Sequence, residues 1–122
     1  MILLDSNVII NAAKPDHGKL REFLSKHSFC VSVISVVEVL GFDKLSPEDR
    51  ISFEAFFEQT LILPVSDKVI AKAVELKQIR KMTLGDSLIA ATAIVNNFEL
   101  ITSNIKDFRR IDSLKTIDPL EK

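Results

Sequence analysis

Four carboxylates stand where a side chain could do chemistry. They are Asp5 in Met1-Ile2-Leu3-Leu4-Asp5-Ser6-Asn7, Glu38 in Ser35-Val36-Val37-Glu38, Asp86 in Thr83-Leu84-Gly85-Asp86-Ser87, and Asp107 in Thr102-Ser103-Asn104-Ile105-Lys106-Asp107-Phe108. If they converge, their mutual repulsion must be relieved by protonation or by a cation. Oxygen donors with no His or Cys beside them suit a hard ion such as Mg²⁺ or Mn²⁺. An ion held this way makes hydroxide available from bound water and neutralises charge on phosphate oxygens, which is what phosphodiester hydrolysis needs. A second ion roughly 3.5–4 Å from the first would serve the leaving oxygen as well.

Each acid also has a plain structural use. Ser35-x-x-Glu38 and Thr83-x-x-Asp86 both fit a capping box, in which an acid three residues after a Ser or Thr satisfies a free backbone N–H. The helix dipole favours carboxylates near helix N-termini in any case. Asp5 itself fits either a carboxylate delivered to the end of a buried strand or an ordinary capped turn. Capping does not account for its place directly behind an apolar run in a chain with three further acids. No other chemistry competes strongly: His17 and His27 sit at an exposed helix start and helix end, and Cys30 in Phe29-Cys30-Val31-Ser32-Val33 reads as a small core residue. The three glycines, Gly18, Gly41 and Gly85, form no phosphate-cradling loop.

The elements that must position these acids are short apolar segments separated by helical patterns. Ile2-Leu3-Leu4, Phe29 to Val33, Leu61-Ile62-Leu63 and Leu100-Ile101 read as strands, and Leu114-Lys115-Thr116-Ile117 as an edge strand. Strands alternating with helices imply parallel pairing, because a parallel strand needs a helical crossover to return. Ligands of an open parallel sheet bind outside the carboxyl ends of the strands, and three of these strands lead there into an acid. Helices are expected from Asp16 to Ser25, from Ser46-Pro47-Glu48-Asp49 onward, from Ser66-Asp67 to about Arg80, and from Thr83. Val69, Ile70, Ala73, Val74 and Leu76 should form one apolar stripe. The Thr83 helix carries Leu84, Leu88, Ile89, Ala91, Thr92 and Val95 over most of its surface and should be central, its small residues letting a neighbour approach Asp86 closely.

At 122 residues, with 47% hydrophobic and 27% charged residues, the chain is expected to fold as a single domain, 1–122, around one core. A formal net charge of −1 excludes an overall basic field. Any nucleic-acid contact must come from local patches around Lys77, Arg80 and Lys81 and around Lys106, Arg109 and Arg110. The single cysteine excludes an internal disulfide. With no bilayer-length apolar run and no basic leader at the start, a cytoplasmic location is expected and no membrane partner. Phe42, Ile51, Phe53, Phe56 and Phe57 gather much of the aromatic content and are expected to be mostly core.

The stretches D-S-N-V-I-I, S-V-V-E-V-L, L-G-D-S-L-I-A-A-T-A and I-T-S-N-I-K-D-F, in this order, resemble the successive acidic motifs of the PIN-domain family, and the compact length resembles its VapC-type toxins. The resemblance covers essentially the whole chain. It implies a three-layer α/β/α fold around a central parallel sheet of four to five strands, and a Mg²⁺- or Mn²⁺-dependent ribonuclease acting at the acidic cluster. It also implies a homodimer held inactive by a cognate antitoxin. Carried over by position, Asp5 and Asp86 are the principal metal ligands, Glu38 a ligand or water-orienting carboxylate, and Asp107 the fourth acid. Ser6, Asn7, Thr102 and Asn104 are supporting residues; from the basic patches rather than the resemblance, Arg80, Lys81, Lys106 and Arg109 are the candidates to contact RNA, the alternative being solvated helix ends. Ser6 stands where Thr is more usual, keeping the hydroxyl. Family members differ in whether the position of Asn104 or of Asp107 faces the metal, and the neutral Asn104 favours Asp107. A catalytically silent PIN-like module that binds RNA or a protein partner is the alternative, and retention of all four acids speaks against it. A haloacid-dehalogenase phosphatase would want a second Asp where Asn7 stands, and a phospho-receiver domain offers no role for Asp86.

Overall fold

The computed structural model describes residues 1–120; the last two residues of the expected unit, Glu121 and Lys122, lie outside the described residues. The chain runs β1 (Ile2–Leu4), α1 (Ser6–Ala12), α2 (Gly18–Ser25), β2 (Phe29–Ser32), α3 (Val33–Leu40), α4 (Pro47–Glu58) and β3 (Leu61–Leu63). It continues through α5 (Asp67–Ile79), α6 (Leu84–Asn96), β4 (Glu99–Ile101), α7 (Ile105–Phe108) and β5 (Thr116–Ile117). The strands form one sheet in the order β3-β2-β1-β4-β5, every pair parallel. β1 lies in the middle, with Leu4 paired to Val31 on one side and Ile101 on the other. The carboxyl end of β1 is therefore flanked by the carboxyl ends of β2 and β4.

Both faces of the sheet are covered, and the alternation along each strand divides the core. Leu3, Cys30 and Leu100 face α5 and α6, packing with Val69, Ala73, Leu76, Ile89 and Ala90. Ile2, Leu4, Val31 and Ile101 face the other way, against Val8, Leu20, Val39, Phe53 and Phe57. The result is the expected three-layer arrangement. α6 is the central helix: Ser87, Ile89, Ala90, Ala91, Thr92 and Ala93 are all buried, although Leu84 at its start is exposed. Cys30 is buried, and desolvation pushes its thiol up to about 11, as befits an inert core residue.

Several boundaries and faces differ from expectation. The strand expected through Val33 ends at Ser32, because the Ser32 hydroxyl accepts the Ile34 N–H at 3.0 Å and caps α3. The first turn expected at Asp16 begins at Gly18, and the edge strand spans only Thr116–Ile117. On α5 only Val69, Ala73 and Leu76 are buried, while Ile70 and Val74 are exposed, since the helix packs by one narrow face, chiefly against α6. Of the aromatic group, Phe53 and Phe57 are core and Phe56 packs at its margin, but Phe42 and Ile51 are exposed.

Candidate active site

Asp5 follows β1 directly and is 5% exposed. Its backbone N–H donates to the Ile101 carbonyl at 2.9 Å, extending the β1–β4 ladder by one residue. Its side chain is satisfied twice: Oδ1 accepts the Ser6 N–H at 2.8 Å, and Oδ2 accepts the Thr102 hydroxyl at 2.7 Å. Asp5 is thus the N-cap of α1 and at the same time a carboxylate planted at the sheet edge. Both readings of the sequence hold together. Burial pushes its pKa up to about 6; the Thr102 and Ser6 hydrogen bonds oppose the rise, and the charges of Asp86 and Glu38 add to it.

The other acids arrive from three separate elements. Asp86 lies in the first turn of α6, where Thr83 Oγ1 accepts its N–H at 3.1 Å, so the cap foreseen at Thr83 forms. Its pKa is raised by burial first, then by Asp107, with Glu38 adding a smaller push. These mutual shifts place Asp5, Glu38 and Asp86 in one field, with Asp107 reaching it through Asp86. Glu38 lies across the start of α6: a Cβ on Gly85 would stand 2.7 Å from Glu38 Oε2. The small residue beside Asp86 does admit a close neighbour, and that neighbour is Glu38.

The Ser35-x-x-Glu38 capping box does not form. Ser32 is the cap, Ser35 lies inside α3, and its buried hydroxyl lies 2.9 Å from Ser6 Oγ. Ser6 Oγ is in turn 2.6 Å from Glu38 Oε1. The role of Ser35 had no signal in the sequence beyond a pattern that suggested the wrong use. Thr102 is fully buried and joins two motifs, donating to Asp5 and accepting the Asn104 N–H at 3.0 Å. Asn104 precedes α7 without capping it through its side chain.

The donor set fits a hard divalent cation. Among the described residues no three acidic, His or Cys side chains are gathered closely enough to enclose an ion unaided. Mg²⁺ does not require that, since it keeps several waters and takes one or two carboxylates directly. The pKa values of Asp5 and Asp86 are raised by burial first, with neighbouring carboxylates adding to it, and a bound cation would favour the ionised forms of both. Asn7, expected as a supporting residue, has its Oδ1 buried without a protein partner.

Beside the acids runs a groove lined by Arg80, Lys81, Thr83, Asp86, Lys106 and Asp107. Arg109 lines an adjoining hollow with Asn104 and Lys106. The two basic clusters of the sequence therefore meet around the same acids. Arg80 is partly committed: its guanidinium donates to the backbone carbonyls of Arg109 and Asp107, fastening α5 to α7. Lys77 likewise donates to the Met82 carbonyl at 2.8 Å. His17 pairs with Asp16 and His27 with the Phe23 carbonyl; neither meets the site.

Residues 2–114 match the PIN domain family. The chain belongs to the PIN-domain family. It is 32% identical to Ribonuclease VapC1 of Rickettsia felis, with 95% of this chain and 94% of that protein covered. Among solved structures it resembles a toxin-antitoxin complex from Klebsiella pneumoniae at 27% identity and TM-score 0.84, with 100% of both chains covered. It resembles VapBC-1 from nontypeable Haemophilus influenzae at 28% identity and TM-score 0.83, with 99% of this chain and 100% of that one covered.

Proposed function

We propose that this PIN domain, read as a single unit over 1–122, is a divalent-metal-dependent endoribonuclease and the toxin of a toxin–antitoxin pair. The observation that carries the reading is the run of contacts linking the acids at the sheet edge of a chain related to VapC ribonucleases: Ser6, next to Asp5, meets Glu38, Glu38 lies against Gly85 beside Asp86, and Asp86 and Asp107 line one groove. Asp5 and Asp86 are the principal ligands of Mg²⁺ or Mn²⁺, Glu38 is a ligand or holds the attacking water, and Asp107 is the fourth acid. An ion held by these carboxylates would supply a nucleophilic water and neutralise phosphate charge. Thr102 and Ser6 hold Asp5 in place, while Lys81, Lys106 and Arg109 draw in the RNA backbone and Arg80 steadies α7 beside it.

The antitoxin reading is supported by the toxin–antitoxin complexes among the structural relatives and by an apolar groove between α1, α2 and α4. The homodimer reading is supported by the exposed Val37, Ile70, Val74 and Ile79 on α3 and α5. Among the described residues no helix is long and apolar enough to cross a membrane; the action on RNA fits the cytoplasm. A silent binding module is disfavoured because the acids are retained and charged against one another.

Cleavage of single-stranded RNA with Mg²⁺, with EDTA, and by Asp86→Asn tests the reading. Wild-type activity should vanish in EDTA, and the variant should lose about a hundredfold or more. Activity that survives EDTA, or a variant that cuts at the wild-type rate, rejects it.

A further inference from the structure

We infer that Ser35 is a positioning residue of this site, acting on Glu38 through Ser6. The inference rests on the nuclease reading for its catalytic consequence and on geometry for its structure. Four other hydroxyls in or beside the helices bond back to a carbonyl three or four residues earlier: Ser25 to Glu22, Thr60 to Phe56, Ser87 to Leu84 and Thr92 to Leu88. This is the default for a helical Ser or Thr. Ser35 departs from it, although it is fully buried and its hydroxyl must find a partner. Its partner is Ser6 Oγ at 2.9 Å, a residue 29 positions away.

The consequence follows from counting protons. Ser6 has one hydroxyl proton and two oxygen neighbours, Ser35 Oγ and Glu38 Oε1 at 2.6 Å. The carboxylate accepts only, so Ser6 gives its proton to Glu38 and accepts the proton of Ser35. A chain of this kind, Ser35 to Ser6 to Glu38, polarises along its length and strengthens its last bond. That last bond matters because the Glu38 residue is otherwise exposed, its far oxygen lying over the bare Cα of Gly85. Ser35 thereby fixes the rotamer of Ser6, and Ser6 fixes one carboxylate oxygen of Glu38. α3 needs no hydroxyl from Ser35 for its own start, since Ser32 caps it.

The test compares wild type, Ser35→Ala, Ser35→Thr, Glu38→Gln and the Ser35→Ala/Glu38→Gln pair, using a single-stranded RNA substrate with Mn²⁺ and crystal structures of the metal-free proteins. Ser35→Ala should lower kcat about three- to tenfold with little change in KM, and Ser35→Thr should restore it. In the Glu38→Gln background Ser35→Ala should cost nothing further. In the metal-free Ser35→Ala structure, Ser6 should turn away from Glu38 or Glu38 should lose its single position. Equal loss in both backgrounds, or an unchanged Ser6–Glu38 contact in Ser35→Ala, overturns the assignment. Absence of cleavage by wild type would reject the nuclease reading alone, and the crystal structures would still decide the role of Ser35.

Discussion

The two halves of the acidic site are held in opposite ways. On the side of β1 and α3, Asp5 is nearly inaccessible and has both oxygens occupied, one by a neighbouring amide and one by a hydroxyl 97 residues away. Glu38 is tied to that side through Ser6. On the side of α6 and α7, Asp86 is half-buried, and Asp107 is exposed on a helix of four residues that Arg80 fastens through backbone carbonyls. The first half is preorganised by the sheet and carries the cost of a buried charge. The second half is more open to solvent and faces the basic groove.

The largest expected effect lies in the first half. Asp5→Asn should reduce RNA cleavage about a hundredfold or more while raising stability at neutral pH. Asn can accept the Ser6 N–H with its oxygen and donate its amide to Thr102 Oγ1, which keeps both contacts at the cost of the acceptor for the Thr102 hydroxyl proton, a loss smaller than the charge penalty removed. The charge that is removed is one the fold holds at a penalty. A carboxyl raised from about 4 unfolded to about 6 folded binds more protons in the native state between those values. Wild-type stability should therefore be greatest below pH 4 with respect to this group and fall as pH rises to about 6, by on the order of 2–3 kcal/mol. Asp5→Asn should lack that decline, which denaturant unfolding across the pH range would measure. A wild type and variant with parallel stability curves would mean that Asp5 carries no penalty.

The same proton competes with the ion. Metal binds the ionised carboxylate, so Mn²⁺ affinity, read by calorimetry, should weaken as pH falls below about 6. In Asp5→Asn this part of the pH dependence should disappear, leaving the contribution of Asp86, whose pKa burial also raises.

Asp107 offers the sharper contrast between the halves. Asp107→Asn should cost activity about tenfold, less than Asp5→Asn, and leave unfolding unchanged, because an exposed acid on a short helix contributes little to the fold. If Asp107→Asn cut activity as deeply as Asp5→Asn and shifted stability by as much, the distinction between a preorganised half and an open one would fail.

How much of this was legible in the chain depends on the range of the interaction that decides it. The strands, their parallel pairing and the central helix followed from runs such as Ile2-Leu3-Leu4 and from the small apolar residues after Asp86. The meeting of the acids stood only as a possibility, since three of the four follow strands of one sheet and Asp86 enters from the start of a helix. Local capping was legible where a Ser or Thr acts on its own helix, as at Ser46, Ser66 and Thr83. It misled at Ser35, because a short-range pattern cannot reveal that Ser32 has already capped the helix or that Ser6 stands opposite. Thr102 was read as a supporting residue, but its bond to Asp5 depends on β1 and β4 being neighbours. The exposure of Ile70, Val74, Phe42 and Ile51 was not legible either, since an apolar side chain does not announce which face its helix will turn to the sheet.

The smallest effect should come from the groove beside the second half. Lys106→Gln removes one exposed charge from a surface shared by Asp86 and Asp107 and leaves the acids in place. Its expected signature is a rise in KM of about two- to threefold with kcat nearly unchanged, since a phosphate contact binds substrate and transition state alike. The slope of log affinity against log salt for a non-cleavable single strand should fall by about 0.7, one counterion fewer released. Arg80→Gln should behave differently, because Arg80 also holds the carbonyls of Asp107 and Arg109. Losing that anchor should loosen α7, lowering kcat as well as affinity. Identical effects from the two variants would place Arg80 and Lys106 in one role, and the second half of the site would then owe its shape to something other than the α5–α7 fastening.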